Sequence, residues 1–221
     1  MIDLAVFDLD GTLVDSRRDL ADAANAMVAG LGGTPLGEGA IADMVGEGAR
    51  VLVSRVLAAA GVDPRTPGAL ELFLEHYDAR LTAHTRPYPG ILEVLADLRP
   101  RMRLSVLTNK PAHATDRLLA MLGLAGFFDG VVGGDTPCGR KPDPEGLLHL
   151  IDEAGTTANR TVLVGDSAID LETARRAGTR IVLARYGFGY RFTGREFRGD
   201  EGFVDSPSEL PRAIARATSH S

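Results

Sequence analysis

The chain has 221 residues, 44% of them hydrophobic and 24% charged, with a formal net charge of −6, which fits one or two globular domains with a sizeable core. The acidic balance argues against nucleic acid as a partner, since such partners carry a basic face, and no apolar run approaches the roughly 20 residues of a membrane span. The N-terminus has no basic region, and Asp3, Asp8 and Asp10 would interrupt any signal core; the single cysteine, Cys138, excludes an intrachain disulfide and a cysteine-based zinc site, so a cytoplasmic protein is expected.

Residues 4–7, Leu-Ala-Val-Phe, read as a buried strand that runs directly into Asp8-Leu9-Asp10-Gly11-Thr12-Leu13-Val14-Asp15-Ser16. Alternation along a strand points Asp8 and Asp10 to the same side. Like charges that close need compensation, from a bound cation or a shared proton, and the carboxyl ends of strands are where open α/β sheets bind ligands. Periodicity then predicts helices over 17–31, 49–60 and 69–83, with a glycine-bearing turn at 45–48 and no strand between 17 and 84. Residues 86–90, Arg-Pro-Tyr-Pro-Gly, form a stiff connector. Helix and strand alternate from there: helix 91–98, strand 104–108, helix 112–122 started by Pro111, strand 130–133, helix 144–154 with Asp143 as N-cap, strand 161–164, a helix over 171–177, and strand 180–184. A last helix starts at Ser206-Pro207-Ser208-Glu209, which has capping-box spacing. Apolar strands alternating with helices mean a parallel sheet covered on both faces. The expected fold is therefore α/β, a Rossmann-like parallel-sheet core formed by 1–15 and 86–221, with an inserted α-helical cap domain of about 70 residues, 16–85. A cap inserted there lies over the strand ends as a lid.

Three further stretches carry chemistry. Thr108-Asn109-Lys110 closes a strand, and a hydroxyl with backbone N–H groups at a helix start makes an anion site, or simply a helix cap. The basic side chains comprise 22 arginines and only two lysines, Lys110 and Lys141; a lysine is a compact point charge that a guanidinium does not replace. For Lys110 chance remains as good a reading, but Lys141 precedes a proline-led segment, Pro142-Asp143-Pro144. In Val164-Gly165-Asp166-Ser167-Ala168-Ile169-Asp170 a strand ends in glycine and two acids follow four residues apart. The five histidines show no ligand-like spacing, so neither a softer metal nor a Ser/His/Asp triad is expected.

Taken in order, the four stretches resemble the haloacid dehalogenase-like hydrolases, whose first motif is a hydrophobic strand followed by DxDGT, and the resemblance covers nearly the whole chain. It implies a helical cap at this insertion point. It implies Asp8 as nucleophile and Asp10 as general acid/base, with Thr108 and the Asn109 backbone N–H holding the transferring phosphoryl group. Lys141 would neutralise the charge of phosphate and nucleophile. Asp166 would bind a metal directly, and Asp170 would either reach it indirectly or orient Lys141. Mg²⁺ prefers few carboxylates, waters and phosphate oxygens, which Asp8, Asp166, the Asp10 backbone carbonyl and a substrate oxygen would supply.

Dehalogenases of this superfamily lack the second aspartate, so Asp10 argues against that activity. The insert contains no lysine, which removes the Schiff base of phosphonoacetaldehyde hydrolases. Residues 45–49, 85–90, 107–111, 132–135 and 141–144 are similar to the phosphoglycolate phosphatases. The expected activity is an Mg²⁺-dependent phosphatase acting on a small phosphorylated metabolite, 2-phosphoglycolate, through an aspartyl-phosphate. A phosphatase or mutase for another sugar phosphate, or a non-catalytic binding protein on the same fold, stays open, as does monomer or homodimer. Arg50, beside the 46–50 turn, could pair with a substrate carboxylate or be a solvated helix-end arginine. Residues 187–199, rich in glycine, aromatics and arginine, carry no functional reading.

Overall fold

Leu4, Ala5, Val6 and Phe7 have no solvent exposure, and in the computed structural model, which describes residues 1–217, they form a central strand. In chain order the first elements are β1 (Leu4–Phe7), β2 (Val14–Asp15), α1 (Arg17–Gly30), α2 (Glu38–Ala42), α3 (Ala49–Ala59), α4 (Ala69–Asp78) and β3 (Arg86–Pro87). Next come α5 (Ile91–Leu98), β4 (Arg103–Leu107), α6 (Ala112–Met121), β5 (Gly130–Val132), α7 (Glu145–Glu153) and β6 (Thr161–Gly165). The chain closes with α8 (Ala168–Ala177), β7 (Arg180–Ala184), β8 (Gly202–Val204) and α9 (Leu210–Arg216).

Six strands make one sheet in the order β5-β4-β1-β6-β7-β8, parallel throughout. The order reverses at β1, and such a switch point opens a crevice beyond the carboxyl ends of the strands. Phe7 pairs with Val106 on one side and Val164 on the other, so the residues that follow these three strands emerge side by side. Alternate residues feed opposite faces. Ala5 and Phe7 pack with Ile91, Leu95, Leu118, Leu210 and Ile214 of α5, α6 and α9. Leu4 and Val6 pack with Leu147, Leu150, Leu171 and Ala174 of α7 and α8.

The helical segment has a core of its own: Leu20, Met27 and Val28 of α1 pack with Ile41, Val56, Leu57 and Phe73, and Ala114 of α6 touches this cluster. Where the chain leaves and returns, β2 and β3 pair antiparallel, Val14 with Pro87 and Asp15 with Arg86. The fully buried Asp19 carboxylate clasps the return, accepting the His84 and Thr85 N–H groups and the Thr85 hydroxyl at 2.7–3.1 Å.

Several expected boundaries differ. α4 stops at Asp78 rather than 83, since turn hydrogen bonds such as Arg80 N–H to Tyr77 take over. Asp143 is not the cap of α7; it sits one residue too early, and its carboxylate accepts the Glu145 N–H. Ser206 and Glu209 form no capping box, because Pro207–Glu209 is a tight turn and the helix begins at Leu210. The reciprocal box lies instead at Ser167 and Asp170 of α8.

The link from β7 to β8 contains no helix, although parallel strands normally need a helical crossover. Aromatic packing replaces it: Tyr190, Phe192, Phe197 and Phe203 stack in succession with centroids 4.9–5.0 Å apart. Among the described residues no helix is long and apolar enough to cross a membrane.

Candidate active site

Asp8 follows β1 directly and Asp166 follows β6, so sheet register alone sets them on adjacent strand ends. Asp170 joins them from the first turn of α8, and each of the three offers a carboxylate oxygen within 4.8 Å of the others. Lys141, brought in by the loop before α7, is the one ammonium among them: its Nζ stands 2.6 Å from Asp8 Oδ1 and 2.6 Å from Asp170 Oδ1. Asp170 is saturated, because its other oxygen accepts the Ser167 N–H at 3.0 Å and the Ser167 hydroxyl at 2.6 Å. Asp166 accepts the Gly189 N–H at 2.7 Å.

Burial makes this cluster electrostatically deficient. Burial pushes the Asp8 carboxyl up to about 7 even though the Lys141 ammonium pulls it down, with Asp170 adding to the rise. Asp166 is raised as well, by burial and by the charges of Asp8 and Asp170. Burial alone would lower the Lys141 ammonium, but Asp170 and Asp8 together hold it above its ordinary value. Three carboxylates against one ammonium leave two negative charges uncompensated, and an all-oxygen set of this kind suits a hard divalent cation such as Mg²⁺. Asp8 and Asp166 keep oxygens free for direct ligation, whereas those of Asp170 are engaged by Lys141 and Ser167.

Asp10 lines the same pocket but its carboxylate lies outside that trio. The Ser16 hydroxyl donates to it at 2.6 Å, and the Lys110 Nζ lies 3.1 and 3.0 Å from its two oxygens. Lys110 is thus no chance surface lysine: its side chain is 3% exposed, and Nζ also sits 4.4 Å from the centroid of the Tyr77 ring of α4. Burial opposes this charge, but Asp10 and Tyr77 hold the ammonium above its ordinary value.

Thr108 is buried at the end of β4, its hydroxyl oxygen accepting the Lys110 N–H at 3.2 Å. The Asn109 side chain ties the two halves of the molecule together, donating to the carbonyls of Gly46 at 2.8 Å and Lys141 at 2.9 Å. The structure therefore brings Asp8, Asp10, Thr108, Asn109, Lys141 and Asp166 into one pocket, with Asp170 immediately behind Lys141. It does not bring in Arg50, which is exposed on α3 and absent from the lining; Val45, Gly46, Gly48, Ala49 and Leu52 face the pocket instead. The rest of the helical side is Leu20, Phe73, Leu74 and Tyr77.

Sequence reasoning left Lys110 undecided and missed Tyr77 and the Gly187-Phe188-Gly189 stretch. Phe188 and Gly189 line the pocket. A Cβ on Gly187 would lie 2.3 Å from the Asp166 Cβ and 2.4 Å from the Gly11 carbonyl, and one on Gly11, which has φ +93°, would lie 2.0 Å from Asp166 Oδ2. The available signal was a glycine pair placed just after β7, at the same sheet end as the acids.

Residues 5–184 match the family described as haloacid dehalogenase-like hydrolase. The chain is 45% identical over 191 residues to a phosphoglycolate phosphatase of Rhodospirillum rubrum, covering 83% of this chain and 79% of that one. It is 40% identical over 215 residues to a plasmid phosphoglycolate phosphatase of Cupriavidus necator, with 96% and 93% covered. Among solved structures it is similar to a predicted phosphoglycolate phosphatase from Haemophilus somnus 129PT, at TM-score 0.87 and 28% identity, covering 96% and 97% of the two chains. It is also similar to CbbY from Rhodobacter sphaeroides in complex with phosphate, at TM-score 0.79 and 25% identity, covering 97% and 100%.

Proposed function

The chain belongs to the haloacid dehalogenase-like hydrolases and is a phosphoric monoester hydrolase, and we propose that its substrate is 2-phosphoglycolate, hydrolysed with Mg²⁺ through an aspartyl-phosphate on Asp8. The observation that carries the reading is a single pocket in which Asp8 and Asp10 each hold a separate buried lysine beside an acid cluster short of positive charge. The choice of substrate draws on relatives of that name at 37% to 45% identity.

In this reading one oxygen of the Asp8 carboxylate attacks phosphorus and the other stays with the positive charges beside it. Asp10 gives its proton to the leaving alkoxide and then takes one from the water that releases phosphate, help typically worth about 10²–10⁴ in rate. Lys141, fixed by Asp170, sets a positive charge against the nucleophile and the phosphoryl oxygens. Thr108 and the Asn109 backbone N–H seat the phosphoryl group. Mg²⁺ held by Asp8, Asp166 and the Asp10 carbonyl would supply further charge stabilisation of the same group. Residues 16–85 act as a cap domain on the core of 1–15 and 86–221, and their apolar lining keeps bulk water from the reacting atoms.

The test is Mg²⁺-dependent phosphate release from 2-phosphoglycolate, hexose phosphates, nucleoside monophosphates and p-nitrophenyl phosphate. The expected kcat/KM for 2-phosphoglycolate exceeds the others by at least about tenfold, or ~1.4 kcal/mol of transition-state binding. A flat profile overturns the glycolate assignment. Turnover that survives Asp8→Asn overturns the covalent route.

A further inference from the structure

We infer that Lys110 selects a carboxylate-bearing substrate, its Asp10-paired ammonium receiving the carboxylate of a phosphorylated 2-hydroxy acid. This rests on the phosphatase reading above and names the group that recognises the far end of that substrate.

Such a substrate carries two anionic ends, and the pocket must answer both. Among the described residues lining it, only Lys110 and Lys141 are cationic. Lys141 is committed to the nucleophile's side of the pocket, 2.6 Å from both Asp8 and Asp170. The nearby arginines are turned elsewhere. Arg17 pairs with Asp15 at 2.6 Å, Arg191 pairs with Asp43, and Arg140 donates to the Glu47 carbonyl at 3.4 Å. The helical side offers the apolar side chains of Leu20, Leu52, Phe73 and Leu74 and the uncharged Tyr77 hydroxyl and 46–49 turn, none of which brings a positive charge to a carboxylate. Lys110 is the cation that remains.

Its position fits. A general acid must stand within hydrogen-bond reach of the oxygen that it protonates, so the bridging oxygen of the substrate lies against Asp10. In a phosphorylated 2-hydroxy acid the carboxylate is attached to the carbon bearing that oxygen. The Lys110 Nζ is 3.0 and 3.1 Å from the Asp10 oxygens, so the carboxylate arrives beside the ammonium. Its three N–H donors face the Asp10 carboxylate and Tyr77, so an incoming carboxylate shares an ammonium that is already held in place. In a site this buried, a charge pair is worth more than it would be in water. A substrate ending in a neutral group gains nothing comparable.

The test compares 2-phosphoglycolate with 2-hydroxyethyl phosphate, in which a hydroxymethyl group replaces the carboxylate, using Mg²⁺-loaded wild type, Lys110→Met and Lys110→Gln. Wild type should favour 2-phosphoglycolate by about 10²-fold in kcat/KM, and Lys110→Met should cut that ratio at least about tenfold, as loss of a charged hydrogen-bond partner implies. Lys110→Gln, which keeps a donor for Asp10, gives the same reading if the methionine variant does not fold. A ratio that survives in a folded variant, or equal loss on both substrates, overturns the role of Lys110. A wild type without the preference overturns the glycolate assignment instead.

Discussion

Asp170 holds the Lys141 ammonium at 2.6 Å from a position that is itself fixed by the first turn of α8. The same carboxylate closes the capping box with Ser167 and is fully buried, so a helix cap and the placement of the ammonium beside Asp8 are one device. Asp170→Asn keeps the shape and removes the charge that anchors Lys141. We expect kcat to fall by about 10²–10³, the range for losing one preorganised stabilising group, with a smaller change in KM. Steady-state kinetics on a variant with a native circular dichroism spectrum checks this; a change confined to KM would assign Asp170 to ground-state binding alone.

The charge deficit predicts a pH-dependent stability that metal reverses. Asp8 has its carboxyl raised from 3.8 to about 7 and Asp166 is raised too. A folded-state value above the unfolded one gives stability that is complete below about pH 4 and is lost as the pH rises through about 7. The metal-free protein should therefore melt at a lower temperature at pH 8 than at pH 5. Mg²⁺ bound only by the folded site, as proposed, would at about 100 times its dissociation constant add ~2.7 kcal/mol, or about 5–10 °C for a chain of this size. Thermal scans in EDTA and in millimolar Mg²⁺ should diverge more at pH 8 than at pH 5. Equal shifts at both values would place the metal away from these carboxylates.

Gly187 tests the crowding around Asp166. An alanine Cβ there would meet the Asp166 side chain at 2.3 Å and the Gly11 carbonyl at 2.4 Å, and the second of these is backbone that cannot rotate away. Gly187→Ala should cost about 1–3 kcal/mol, the usual range for overpacking a tight site, and should also shrink the Mg²⁺-induced rise in melting temperature. Urea titrations with and without Mg²⁺ measure both; an undiminished metal response would show that Asp166 tolerates displacement.

The legible parts of this chain are those in which a local pattern and a tertiary role coincide. β1, β4, β6 and β7 are apolar runs because both faces of the sheet are covered, and the acids stand out because they end those runs. β2 and β3 are two residues each and pair across 73 positions of sequence, Val14 with Pro87, so no local period marks them. The segment of 187–199 lacks a period because its aromatics pack as an irregular stack instead of a helix face. The place of Lys110 in the pocket depends on a contact with Asp10 one hundred residues away, and on Tyr77, whose spacing shows only a buried helix face. For Arg50 the sequence left a substrate contact and a solvated helix end both open; the side chain is exposed, whereas Val45, Gly46, Gly48 and Ala49 line the pocket.

Asp19 joins the start of the helical segment to its return. Its carboxylate accepts the Thr85 N–H at 2.7 Å, the Thr85 hydroxyl at 2.7 Å and the His84 N–H at 2.9 Å, and neither Asp19 nor Thr85 is exposed. Asp19→Ala would leave the Thr85 donors buried without a partner, at a cost of about 1–3 kcal/mol per lost group. We expect a total loss of about 3 kcal/mol, seen as a lower urea midpoint at unchanged slope. Because the clasp also sets where α1 and α4 stand over the pocket, KM for the substrate should rise, and Asp19→Asn, which keeps one acceptor oxygen, should fall between alanine and wild type on both measures. A loss below about 1 kcal/mol would mean that the β2–β3 ribbon alone holds the crossing.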